Sequence, residues 1–201
     1  MIITGSAQLG RVVFAHGAGA GADSAFMEDM AEQMARLGLE VRRFEFPYMA
    51  ERRLSGKKRP PDRMPVLISH FKQVLETLPD DGLPVWLAGK SMGGRVASML
   101  VAEGCAGEAW VFGYPFHPRG KADRLRIEHL QSIAGRVDIF QGTRDALGNQ
   151  EEVSDYPLSS AVHLHWLEDG DHDLKPRQRS GYTQSGHIEA VAEVLKERVR
   201  A

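Results

Sequence analysis

Val85-Trp86-Leu87-Ala88-Gly89-Lys90-Ser91-Met92-Gly93-Gly94-Arg95 is the stretch on which the reading of this chain turns. A short apolar run of strand type enters Gly-x-Ser-x-Gly, and an apolar helical pattern from Met92 to Ala102 follows. A serine carried on a tight strand-to-helix turn needs small residues two places before and two places after it. A Cβ at Gly89 or Gly93 would block the close approach of strand and helix. The serine Oγ then projects above the sheet, and the Met92 amide faces a developing oxyanion at the helix N-terminus. Ser91 is therefore the candidate nucleophile. Gly89-Lys90-Ser91 also matches the end of a phosphate-binding loop, but position 84 is Pro84 where that motif needs glycine. Residues 85–88 moreover read as strand, so a nucleotide-binding reading fails.

Outward from this turn the pattern alternates. Strands are expected at Arg11–Ala15, Leu39–Phe46, Pro84–Ala88, Ala109–Phe112, Val137–Phe140 and Val162–Leu167. Helices are expected at Asp23–Leu37, Met64–Leu78, Met92–Ala102, Leu125–Ile133 and Ser185–Val199, with a weak turn at 151–153. Strand-helix alternation with continuous apolar strands predicts an α/β fold, a mostly parallel sheet of about six strands with helices on both faces. Ligands in such sheets bind beyond the carboxyl ends of the strands, so the chemistry belongs in the loops that follow them.

Composition sets the outer limits. At 201 residues, 42% apolar and 26% charged, the chain fits one domain spanning 1–201. A net charge of -2 gives no global field toward nucleic acid or a membrane, and no nucleic-acid motif is present. No apolar run approaches the roughly 20 residues of a membrane span. The start, Met1-Ile2-Ile3-Thr4-Gly5-Ser6, lacks a basic segment followed by an apolar one, so a cytoplasmic location is expected. Cys105 is the single cysteine, so no internal disulfide forms. No loop gathers a convincing set of metal ligands, and no cofactor is expected.

Three further post-strand loops carry candidates. His16-Gly17-Ala18-Gly19-Ala20-Gly21 follows the first strand, where a second oxyanion amide belongs. Ala18 is the first choice for that donor and Gly19 the second, with His16 shaping the loop. The glycine spacing does not fit a dinucleotide site. Asp171-His172-Asp173 follows the last strand. His172 alone of the eight histidines gives the chain order Ser, Asp, His from a post-strand position, so it is the candidate base. Gln141-Gly142-Thr143-Arg144-Asp145 follows the strand before it, and Asp145 is the candidate acid that holds the His172 tautomer. Asp171 and Asp173 are rivals, but each lies too near His172 in sequence to orient its ring easily.

These motifs, together with Phe44-Glu45-Phe46-Pro47-Tyr48-Met49 and Gly113-Tyr114-Pro115-Phe116-His117-Pro118, resemble the predicted α/β-hydrolases related to the Tex30 and KANSL3 proteins. The resemblance covers nearly the whole chain. It implies the α/β-hydrolase fold and a serine triad at Ser91, Asp145 and His172. The chain is also broadly similar to dienelactone hydrolase-type enzymes, which carry cysteine where this chain has Ser91.

Two loops without clear secondary structure, 48–63 and 114–126, are expected at the rim of the site. They hold Arg52, Arg53, Lys57, Lys58, Arg59 and Arg63, and His117, Arg119, Lys121, Arg124 and Arg126. Lys175, Arg177 and Arg179 follow His172. Candidate substrate contacts are Gly17, Gly19, Tyr48, Lys90, Tyr114 and His117, with Lys90 expected to point away from Ser91 in a regular elbow. The cations suggest a positive mouth for an anionic acyl substrate, or else a solvated surface. The loops are short and polar, unlike a lipase lid. The leading reading is a serine hydrolase, of carboxylesterase or thioesterase type, acting on a small-molecule ester with a small or polar acyl group. The alternative is a binding or scaffold protein that keeps the fold without turnover.

Overall fold

The computed structural model describes residues 1–200. Its strands are β1 (Ile2–Thr4), β2 (Gly10–Ala15), β3 (Leu39–Phe44), β4 (Val85–Lys90), β5 (Glu108–Phe112), β6 (Arg136–Gly142) and β7 (Val162–Leu167). Its helices are α1 (Ala25–Arg36), α2 (Pro47–Ser55), α3 (Met64–Glu76), α4 (Met92–Ala102), α5 (Gln150–Val153) and α6 (Gln184–Arg200). The sheet runs in the order β1-β3-β2-β4-β5-β6-β7, with β1 antiparallel and the other six strands parallel.

The apolar strands supply two cores because successive side chains point to opposite faces. Val12 and Phe14 meet Met27, Met30 and Met34 of α1 and Ile188, Val191 and Leu195 of α6. Val13 and Ala15 face the other way, toward Leu67 and Phe71 of α3 and Val96, Ala97 and Leu100 of α4. Both faces of the central parallel strands are covered, which accounts for the apolar runs at 12–15 and 109–112.

The expected mostly parallel sheet of about six strands is present, with an added edge strand, β1, which carries no alternating pattern: Ile2 and Ile3 stay 37% and 55% exposed. Two expectations need correction. The segment 48–63 is not all loop, because α2 occupies Pro47–Ser55. Pro47 sits in the first turn of α2, where a missing N–H leaves no bond unmade. α2 stops at Gly56, whose φ of +68° lets its amide reach back to the Arg52 carbonyl. The helix expected at 125–133 is one 3-10 turn, Glu128–Gln131, because Ile127 and Ser132 leave the helical region at φ −116° and −126°.

The position of β2 fixes the site. It lies between β3 and β4, so the chain turns to one side after β2 and to the other after β3. A parallel sheet opens a crevice at such a reversal, beyond the carboxyl ends of its strands. His16, Gly17 and Ala18 leave β2 there, and Ser91 leaves β4 beside them. Among the described residues, no helix is long and apolar enough to cross a membrane.

Candidate active site

Ser91 occupies the turn between β4 and α4 at φ 52° and ψ −116°, a conformation that L residues avoid. Its amide donates to the Phe112 carbonyl at 3.0 Å, and its carbonyl accepts from Arg95 at 3.0 Å, the first bond of α4. A Cβ at Gly89 would lie 2.2 Å from the Gly93 carbonyl carbon, and one at Gly93 would lie 2.5 Å from the carbonyl oxygens of Ala15 and His16. These neighbours are backbone and cannot swing aside, so both glycines are required by the close packing of strand on helix.

The structure brings Ser91, His172 and Asp145 into one chain of hydrogen bonds. His172 Nε2 lies 2.8 Å from Ser91 Oγ, and His172 Nδ1 lies 2.7 Å from Asp145 Oδ2. The carboxylate accepts from Nδ1–H, which leaves Nε2 unprotonated and facing the serine hydroxyl. Asp145 is fully buried. Its Oδ1 accepts from the Leu147 amide at 2.8 Å, and its Oδ2 also accepts from Gln141 Nε2 at 2.8 Å. A buried carboxylate with three donors has little freedom to turn.

The rival acids are otherwise engaged. Asp171 Oδ1 accepts from the amides of Asp173 and Lys175, and Asp173 pairs with Lys90 at 3.1 Å. Arg144 pairs with Asp169 and not with Asp145. Two other arrangements mimic parts of the site. Ser98 Oγ lies 2.8 Å from His129 Nε2, but Ser98 is fully buried and burial pushes His129 down to about 4. His165 Nε2 lies 2.7 Å from Asp138 on adjacent strands, with Arg136 on the same carboxylate, toward the amino ends of β6 and β7.

His16 is fully buried and shapes the loop after β2. The Phe46 amide donates to its Nε2 at 3.1 Å, so its Nδ1–H donates to the Gly17 carbonyl at 2.6 Å. Burial holds its pKa below the ordinary histidine value, so the ring is neutral. Tyr48 donates its hydroxyl to the carbonyls of Gly17 and Ala18, each 3.1 Å away.

A cavity of about 640 Å³ opens beside Ser91 and His172. Gly17, Ala18 and Gly19 form one wall, Phe26 and Met27 of α1 add apolar surface, and Lys90 and Lys175 contribute cations. Of the six candidate substrate contacts, Gly17, Gly19 and Lys90 reach this cavity. Tyr48, Tyr114 and His117 do not, and the expectation for them is corrected. Each is buried and bonded to backbone: Tyr114 Oη donates to Arg126 O at 2.6 Å, and His117 Nδ1 lies 3.0 Å from Pro118 O. Of the basic positions in the flanking loops, only Lys175 lines the cavity. Arg53 is paired with Asp23 and Glu45, Arg59 with Glu51 and Asp62, and Arg177 with Asp169.

Gln141 was not singled out by sequence. Fully buried, it accepts from the Tyr114 amide at 2.7 Å and donates toward Tyr114 O, Gly148 O and Asp145. Its signal was its place four residues before Asp145 in the same motif.

Residues 8–200 match the α/β-hydrolase domain family, and the chain belongs to it. No curated protein matches the sequence. Among solved structures, an α/β serine hydrolase homologue from Coxiella burnetii is similar at 19% identity and TM-score 0.72, covering 98% of this chain and 89% of that one. A dienelactone hydrolase from Anabaena variabilis aligns at 21% identity and TM-score 0.70, over 97% and 88% of the two chains. A lidless α/β serine hydrolase from Xanthomonas campestris aligns at 20% identity and TM-score 0.70, over 98% and 83%.

Proposed function

We propose that the protein is a serine hydrolase of the carboxylesterase or thioesterase type, acting on a small or polar acyl group. The observation that carries this reading is the continuous path from Ser91 Oγ through His172 to buried Asp145, with links of 2.8 and 2.7 Å. Ser91 Oγ attacks the carbonyl carbon while His172 Nε2 takes its proton. The oxyanion is held by the amides of Met92, first residue of α4, and Ala18. Collapse breaks the ester or thioester bond, and His172 returns the proton to the leaving alcohol or thiol. Water then repeats the cycle on the acyl-enzyme and releases the acid.

The cavity favours an anionic acyl or leaving group, because no carboxylate among the described residues pairs with Lys175 at its wall, while Lys90 shares Asp173. The narrower kinship with Tex30- and KANSL3-related proteins rests on the motifs quoted above. Intact-mass labelling with a fluorophosphonate tests the reading on wild type, Ser91→Ala and His172→Ala. A single adduct on Ser91, lost in both variants, is expected. A folded wild type that takes no adduct, under conditions that label a known esterase, overturns it.

A further inference from the structure

Lys90 immediately precedes the nucleophile, yet its side chain turns beneath the base. Its Nζ donates to the backbone carbonyl of His172 at 2.7 Å, pairs with Asp173 at 3.1 Å, and lies 5.5 Å from the centre of the Phe26 ring. The side chain is only 9% exposed. Space for it is left by Gly113, at φ +68°: a Cβ there would lie 3.2 Å from Nζ and 2.5 Å from the His172 carbonyl oxygen. The ammonium thus fills a slot between the elbow, the turn after β5 and the loop after β7.

This lysine is a poor choice for stability. Burial lowers its pKa below the ordinary lysine value, although Asp173, Asp145 and Asp171 all pull the other way. Charging it therefore costs folding free energy, and its partner Asp173 is 67% exposed and can be solvated without it. What an apolar residue would not supply is a donor to the His172 carbonyl.

That bond has a geometric purpose. The nucleophile leaves β4 and the base leaves the loop after β7, with β5 and β6 between them. Three strand spacings, about 14 Å in all, separate the two parent strands. Lys90 joins the two loops directly.

We propose that Lys90 is a positioning residue, which sets the height and angle of the His172 ring over Ser91 by holding the His172 carbonyl. This rests on the hydrolase reading for its consequence in turnover, but not for the clamp itself. Lys90→Met is compared with wild type in three measurements. Its melting temperature is expected to stay within a few degrees of wild type, because relief of the buried ammonium offsets the loss of the donor to the His172 carbonyl. Its maximal rate of fluorophosphonate inactivation is expected to fall at least ten-fold, more than the half-saturating concentration of the uncharged probe changes. Amides in residues 170–176 are expected to exchange with deuterium at least ten-fold faster. Should the methionine variant fail to fold, Lys90→Gln, too short to reach the carbonyl, is expected to give the same two kinetic results. Wild-type exchange in this loop together with a wild-type maximal rate overturns the proposal. Faster loop exchange in the variant of a chain whose wild type takes no label upholds the clamp and overturns the hydrolase reading instead.

Discussion

The hydroxyl of Tyr48 stands 3.1 Å from the carbonyl oxygens of both Gly17 and Ala18. In a trans peptide the N–H points opposite to the C=O it shares a plane with. Anchoring the Gly17 carbonyl therefore turns the Ala18 amide away from Tyr48, and anchoring the Ala18 carbonyl does the same for Gly19. His16 adds a second donor on the Gly17 carbonyl. Tyr48 holds the loop that presents the candidate oxyanion donors and does not line the cavity. Tyr48→Phe removes the donor and little volume. Steady-state ester hydrolysis is expected to show kcat reduced about ten-fold with KM little changed, and urea unfolding a loss of about 1 kcal/mol. An unchanged kcat would reduce Tyr48 to core filler.

Gln141 controls Asp145 from below. Gln141→Met keeps the volume but leaves the Tyr114 amide and the Gly148 carbonyl without their buried partner and takes one donor from Asp145. A loss of about 3 kcal/mol is expected, since each orphaned buried group costs roughly 1–3 kcal/mol. Labelling of Ser91 is expected to slow in the folded fraction, read by intact mass at a temperature below the variant's transition.

The proposed preference for an anionic acyl group has a salt signature. The kcat/KM for an ester with a carboxylate in its acyl group is expected to fall several-fold between about 0.02 and 0.5 M salt, as screening shortens the reach of exposed charge. A neutral ester of the same length should change little. Lys175→Gln is expected to remove the salt dependence for the anionic ester alone. Equal salt responses for both esters would exclude steering.

Acid stability reports on Asp138. Burial alone would raise its pKa, but the hydrogen bonds from His165 and Arg136 more than offset this and bring it to about 2. The folded value lies below the unfolded one, so this stability is fully present above pH 4 or so and is lost as pH falls through about 2. Wild type is expected to exceed Asp138→Asn by roughly 2 kcal/mol at pH 7, a shift of nearly two units at about 1.4 kcal/mol each. Urea titrations at pH 7, 4 and 2.5 should show the gap closing only at the lowest pH.

What could be read from sequence divides along a physical line. Strands buried on both faces, such as Gly10–Ala15 and Glu108–Phe112, announce themselves because their central apolar residues meet a core on either side. β1 is three residues long, half wet, and held by pairing with β3, so only the partner strand defines it. α2 buries little more than Tyr48 and Met49 and leaves Leu54 at 90% exposure, so it lacks an apolar stripe. Within the site, Ser91, Asp145 and His172 each follow a strand, and strand ends converge in a parallel sheet. Sequence position is therefore a guide to their meeting. The bonds made by Gln141, Tyr48 and Lys90 depend on how far a side chain reaches across loops from different strands. Local pattern carries no record of that.

The backbone at Ser91 has a last consequence. A side chain held at φ 52° costs of the order of 1–3 kcal/mol, most of which glycine would avoid. Ser91→Gly is thus expected to melt higher than wild type while accepting no fluorophosphonate. A library sorted for thermal tolerance alone would be drawn toward glycine at position 91, and only a sort that also demands bond cleavage would keep the serine. This strained turn is in that sense a local meter of the two demands, readable by a melting curve before any substrate is known.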